Sequence, residues 1–236
     1  MKKTFGSFTT KRQRGNVEME MKNGIEFVHG DLYGVAMDVV KKYVSKHDTR
    51  PMLRYAHHKE NGDIIATDSH RAIEIREIHG FKESYLVDPK SFMLAKGTFP
   101  NVEQVMSKEE HVKTVELNKG QIKLWLQIFK SINQTLKVMG VADRNKVVRL
   151  HLAENSIEVE LRELKMKMNL PFASLEVPEN FKTIAFSAEY MRDALEAHFK
   201  MNSPKLEIFY KSSMHPLVLD DEVKVKTLLL PVRTYE

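Results

Sequence analysis

The stretch from Gly120 to Gly140 constrains this chain most, because its two sides are so unlike. Ile122, Trp125, Leu126, Ile128, Phe129, Ile132 and Leu136 recur at helical spacing and make a side broad enough to bury against a sheet. Lys123, Gln127, Lys130, Gln134 and Lys137 are spaced by four and three in turn, so they share one face. No acidic residue occurs between the two glycines. An ordinary solvated helix mixes Glu with Lys, because i,i+4 pairs stabilise it. A pure Lys/Gln stripe suits a polyanion, since lysines displace counterions from phosphates and amides bond phosphate or water. The alternative is a plain solvated face. Arg192 on a later helix and Lys41 on an earlier one are weaker companions, diluted by Glu196 and Asp38.

Overall charge adds little to that case. The net charge is +5, but residues 1–30 hold six Lys/Arg against three acids, leaving 31 bases and 29 acids elsewhere. The body of the chain is nearly neutral, so an argument for DNA rests on where charges sit. At 236 residues there is room for two domains with real cores. The absence of cysteine excludes disulfides, thiolate metal sites and a cysteine nucleophile, and fits a cytoplasmic location. No apolar run approaches the ~20 residues that span a bilayer, and the basic first residues lack the apolar core of a secretory signal.

In order, residues 1–16 read as a mobile basic arm and 17–28 as a β-hairpin turning at Asn23-Gly24. Asp31 suits the N-cap of a helix to about residue 47. Strands over 52–58, 64–66 and up to about 77 follow, with a tight turn at Asn61-Gly62. Asp88-Pro89 predicts a short helix to Lys96, and 99–105 an ordered connector. A boundary falls near 107–110. The second half reads as strand 112–117, the long helix, a hairpin over 147–161, and strands 165–170 and 183–186. Ser187 caps a helix to about Lys200, and three closing strands end near Leu230. This is an α+β pattern, and the first half looks like an abbreviated version of the second.

One polar cluster invites a chemical reading: Thr67-Asp68-Ser69-His70-Arg71. Consecutive residues point apart, so a hydroxyl, its base and an orienting acid are not brought within reach of one another. There is no G-x-S-x-G, P-loop, G-x-G-x-x-G or H-E-x-x-H pattern. His57 and His58 face opposite sides of a strand, so only one of them could join Asp63, Asp68 and His70 in a metal site across the hairpin. The structural reading has Asp68 bonding turn amides and Thr67 capping the strand end, with His70 and Arg71 lining the surface. No catalytic residue, metal or cofactor is expected.

Three blocks, in order, resemble one family. Arg50-Pro-Met-Leu53 followed by Ile65-Ala-Thr-Asp-Ser-His-Arg71 is similar to the V-A-T-D-G-H-R-L motif of the bacterial β sliding clamps, the processivity subunits of the replicative DNA polymerase. Phe99-Pro-Asn-Val-Glu-Gln-Val105 resembles their F-P-D-Y-x-x-V connector, and Leu229-Leu-Pro-Val-Arg233 their terminal V-M-P-M-R. The resemblance implies a DNA-clamp fold of repeated domains, with helices on one face of antiparallel sheets. Beyond the arm and hairpin over 1–30, it implies an abbreviated clamp domain over 31–108 and a full one over 109–236. It also implies a peptide groove of Leu53, Thr67, Ser69, His70, Arg71, Pro100, Val105, Leu230, Pro231 and Val232, with Arg233 beside it. The implied partners are duplex DNA along the Lys123–Lys137 stripe, DNA polymerase and clamp-loader-type proteins carrying short peptides, and further copies of the chain. A six-domain ring would take three copies. Ser69 stands where the family has Gly, and Ala72 where it has Leu. So compact a version resembles a phage or mobile-element clamp. The competing expectation is a clamp mimic that binds replication proteins without encircling DNA.

Overall fold

A computed structural model describes residues 28–47, 49–108, 111–142, 146–179 and 182–233. The basic arm, almost all of the expected 17–28 hairpin and the last three residues lie outside the described residues. In chain order the elements are α1 (Tyr33–Val40), β1 (Ala56–His58), β2 (Ile64–Thr67), β3 (Arg71–Ile75), β4 (Tyr85–Val87), β5 (Leu94–Ala95) and β6 (Val112–Asn118). Then come α2 (Lys119–Val138), β7 (Val147–Ala153), β8 (Ser156–Leu161), β9 (Met166–Leu170), β10 (Ser174–Leu175) and β11 (Thr183–Ser187). The chain closes with α3 (Ala188–Lys200), β12 (Lys205–Tyr210), β13 (Leu217–Asp220) and β14 (Val225–Leu229).

These elements form one unit three times over: a helix, three antiparallel strands, and a fourth strand alongside the first of them. Unit one is α1 with sheet order β4-β1-β2-β3, unit two is α2 with β11-β7-β8-β9, and unit three is α3 with β6-β12-β13-β14. Units one and three fuse edge to edge through β3 and β14, giving a ten-stranded sheet, while unit two keeps its own four strands. The repeat hinted at by the sequence is therefore structural, and the expected α+β class is borne out.

Alternation sorts the strand residues onto two sides. On the helix side, Val115, Leu117, Leu206, Ile208, Leu217 and Leu219 join Trp125, Phe129, Ile132 and Phe186 in the largest core. A second core sets Ala36, Met37, Val40 and Tyr43 against Ile64, Ile73 and Ile75, reaching Ala197 and Met201 on α3. Through it α1 packs on α3, and α3 on α2, so the three helices form one layer. Asn118 caps α2 in a reciprocal box with Gln121, at 3.0 Å and 2.9 Å. Ser187 caps α3 as expected.

Three local expectations fail, each for a physical reason. Helix α1 stops at Val40, with Leu32 and not Asp31 at its cap position. The chain must turn there so that Tyr43 enters the second core, fully buried. Pro51 opens a 3-10 turn over Pro51–Arg54, which delays the strand to Ala56. Residues 88–96 are not helical. The Asp88 carboxylate accepts bonds from the Lys90 N–H (2.8 Å) and the Ser91 hydroxyl (2.9 Å), a turn that competes with a helix. Gly62 has φ +92°, and a Cβ there would lie 2.7 Å from the His79 carbonyl oxygen, so only glycine fits.

Candidate nucleic-acid interface and peptide groove

On α2 the apolar side is buried as its spacing requires, and Lys123, Gln127, Lys130, Gln134 and Lys137 are all exposed along the other. Among the described residues none of the three lysines meets an acid. The stripe borders a groove between α2 and α3, whose walls include Lys42, Lys130, Gln134, Lys137, Lys146 and Arg192. Their neighbours are less available. Lys41 is paired with Asp38 at 2.7 Å, and Arg192 with Asp193 at 2.8 Å and Glu189 at 3.1 Å. Lys42 lies 2.6 Å from Glu196 and 3.2 Å from Asp193. Lys146 was not foreseen, because it precedes β7 and reaches the groove only through the fold.

The turn between β2 and β3 is built by its own side chains. The Asp68 carboxylate accepts from the N–H groups of His70 (2.9 Å) and Arg71 (3.1 Å), and the Thr67 hydroxyl donates to the Arg71 carbonyl (2.8 Å). Ser69 takes φ +77°, the left-handed region that glycine adopts without strain, and its hydroxyl accepts from Arg50 at 3.0 Å. His70 points out. Arg71 does not, which corrects the expectation that it lines the surface. It is 8% exposed, bonds Asp68 (3.0 Å), Asp193 (2.6 Å) and the Lys42 carbonyl (2.5 Å), and lies over the rings of Tyr190 and Tyr43. Burial alone would lower its pKa, but Asp68, Tyr43 and Asp193 outweigh that and hold the guanidinium charged.

The three sequence blocks converge on the sheet's outer side. The Leu230 N–H donates to the His70 carbonyl at 2.9 Å, which binds the terminal segment to the turn, and the Val232 N–H donates to Ala185 at 2.8 Å. On the connector, Phe99 stacks on His57 at 5.2 Å and Glu103 pairs with Lys59. Val102 and Met106 pack over Ala72, Phe209, Val218, Leu228 and Leu230. That cluster was missed because its members come from five separate segments. Of the expected groove residues, Thr67, Ser69, His70, Arg71 and Leu230 are directly linked, and Pro231 and Val232 are half-buried beside them. Pro100 and Arg233 are exposed, Val105 is 50% exposed, and Leu53 is buried. Exposed His70 beside half-buried Leu230, Pro231 and Val232 makes a surface of mixed polar and apolar character.

Two other polar clusters are internal. Ser203 donates to Asp221 at 2.6 Å and lies 3.1 Å from His198, all three buried. The hydroxyl sits between carboxylate and imidazole, so the imidazole lacks the orienting acid that a nucleophilic triad requires. Burial lowers the His198 pKa to about 4 despite Asp221 nearby. Burial, with His79 adjacent, lowers His58 to about 3. Among the described residues no three His, Asp or Glu side chains are grouped to hold a metal.

Repeated helix-and-three-strand units with their helices in one layer define a clamp-type fold. No family model and no curated sequence matches the chain. Solved structures do. The DNA polymerase sliding clamp of Bacillus subtilis superposes with a TM-score of 0.70 at 19% identity, covering 95% of this chain and 67% of that one. The polymerase beta subunit of Streptococcus pyogenes gives 0.68 at 19%, covering 95% and 68%. The Helicobacter pylori beta clamp bound to a DNA ligase peptide gives 0.64 at 13%, covering 88% and 65%. The chain therefore has the fold of the bacterial DNA polymerase III β sliding clamps, and spans about two thirds of their length.

Proposed function

We propose that this protein is a DNA sliding clamp, a processivity factor that holds duplex DNA against its helix layer without reading sequence. The observation that carries this is the α2 stripe: Lys123, Lys130 and Lys137 are exposed and unopposed on the layer formed by all three helices. Unpaired lysines on a smooth helical face displace counterions from phosphate without contacting base edges, which is what movement along DNA needs. Gln127 and Gln134 contribute bonds to phosphate or water. Lys41 and Arg192 are already paired and add less. Residues 31–108 act as an abbreviated clamp domain and 109–236 as a full one. The working form contains several copies of the chain. We assign it no reaction. Its place is with the DNA, in the cytoplasm.

The opposite side is the tether. DNA polymerase or clamp-loader-type proteins dock a short peptide on the surface around His70, Leu230, Pro231 and Val232, with Val105 and Pro100 flanking it. Arg71 and Leu53 serve that surface from beneath. The H. pylori clamp bound to a ligase peptide supports this reading.

Retention on DNA tests the function. The protein should be held on nicked circular duplex and released when the circle is cut. A chain held on neither, or equally on both, would sink the clamp reading. For the tether, His70→Ala should weaken a clamp-binding peptide about tenfold in titration while thermal unfolding is unchanged. Equal affinity would remove His70 from the site.

A further inference from the structure

We infer that Arg149 forms the anion-binding end of the docking surface, where a docked peptide sets a carboxylate against its guanidinium. Arg149 lies on β7 between Val148 and Leu150, both of which enter the largest core. Alternation turns it to the opposite side of the sheet, away from the helices. It is nevertheless only 7% exposed. Among the described residues it makes no ion pair, and its guanidinium donates no hydrogen bond. Arg71, buried to almost the same degree, is held by Asp68, Asp193 and the Lys42 carbonyl. A cation taken so far from water destabilises the fold unless a counter-charge meets it.

Its neighbours show why it is left over. Strand pairing sets Glu160 of β8 on one side of Arg149 and Ala185 of β11 on the other. Glu160 is engaged diagonally, with its carboxylate 2.9 Å from Nε2 of His151. Glu158, the other acid on that face of β8, accepts from Lys167 at 2.8 Å. Neither acid is left for Arg149. On the β11 side the small Ala185 leaves room, and the half-buried hydroxyl residues Thr183 and Ser187 flank it on the same face. The buried polar atoms sealed without a partner include the Tyr43 hydroxyl and Asn133 Oδ1 but no nitrogen of Arg149. The guanidinium therefore stays within reach of a ligand from solvent.

Position decides what that ligand is. Duplex DNA belongs to the helix layer, on the other side of the sheet. The terminal segment, which carries Leu230, Pro231 and Val232 of the docking surface, runs beside β11. There the Val232 N–H donates to the carbonyl of Ala185 at 2.8 Å, next to Arg149 across the ladder. Arg233 follows, exposed and without an ion pair among the described residues. A peptide seated along Leu230 to Val232 thus passes two unpaired arginines. A planar guanidinium takes a carboxylate through two parallel N–H···O bonds. The partner peptide therefore has an apolar anchor with an acidic residue, or its own terminal carboxylate, beside it. The identity of the occupant rests on the tether reading; the anion site rests only on the buried, unpaired arginine.

Two measurements separate those parts. In nitrogen-15-labelled protein, the Nε–H signal of Arg149, assigned by its loss in Arg149→Lys, should shift saturably with sodium acetate. Sodium chloride at the same concentration should not reproduce the shift. A shift linear in acetate, or matched by chloride, would overturn the anion site. For the occupant, the DNA ligase peptide that the H. pylori clamp binds is extended by a single Glu or a single Gln, at each end in turn. At one end the Glu form should bind about tenfold tighter than the Gln form. That ratio should fall to near unity in Arg149→Gln and stay above it in Arg149→Lys, which keeps the charge. Both variants should melt with the unmodified protein, because no internal bond of Arg149 is lost. Equal binding of the Glu and Gln forms at both ends would refute the proposal and leave the tether intact. No binding of any form, with acetate still saturating, would sink the tether and the peptide occupant but leave the anion site standing.

Discussion

The solvent face of α2 and the outer face of the ten-stranded sheet are both rich in lysine, yet they treat charge differently. On the sheet, Lys113 reaches Glu116 and Glu207, Lys205 reaches Glu207, and Lys108 reaches Asp220 and Glu222. Arg76 joins Asp220 at 3.3 Å, and Lys226 lies 3.8 Å from Glu74. Burial alone would raise the Asp220 carboxyl, but Arg76, the Glu222 N–H and Lys108 hold it below its usual range. This lattice is locally neutral. On α2 no acid among the described residues pairs with Lys123, Lys130 or Lys137, and their field is free for a polyanion. Counting basic residues would rate the two faces alike; pairing separates them.

The largest expected effect tests what a cation does when it is taken out of solvent altogether. Arg71→Ala removes the buried guanidinium that joins Asp68 to Asp193, and should lower unfolding free energy by about 3–5 kcal/mol in denaturant titration. A loss near zero would mean that Arg71 is no more than another surface charge. Acid probes the buried neutral groups next. His198 is uncharged in the fold, with its pKa lowered to about 4, but takes up a proton near its ordinary 6.5 when unfolded. Its contribution is therefore complete above pH 6.5 and is lost as pH falls toward 4, on the order of 3 kcal/mol. His198→Gln should flatten that slope; an equal slope in the variant would assign it elsewhere.

The faces themselves come next. Replacing Lys123, Lys130 and Lys137 by Glu should weaken duplex binding about a hundredfold and reduce the log–log salt slope by roughly two to three. The melting temperature should hold, since none of the three is paired. Replacing Lys113, Lys205 and Lys226 by Gln should do the opposite. Stability should fall by about 1 kcal/mol, and DNA affinity should change less than twofold. Equal losses of affinity from the two sets would erase the distinction between the faces.

How much was legible varies along the chain. In the second half both helices and all strands but the two-residue β10 were readable, because alternation, 3.6-residue spacing and the cap at Ser187 are local signals. The Asp68 turn was readable for the same reason. Around 88–96 the local signals conflicted, and the side chain of Asp88 decided for a turn. The inward course of Arg71 was not legible at all. Its partners on α3 and after α1 lie up to 122 positions away, and nothing near Arg71 in the chain announces them. Ser69 shows the same limit: its residue type does not reveal φ +77°.

By itself, the sequence determined a long helix with one apolar and one acid-free basic side, the alternating strands that receive it, and a self-bonded polar turn. These depend on residues a few positions apart, whose relative directions the backbone geometry sets. Tertiary structure alone decided which cations stay free, where α1 stops, and that His70, Leu230 and the connector share one surface. Those outcomes depend on strand pairing and burial between distant segments, which no local spacing encodes.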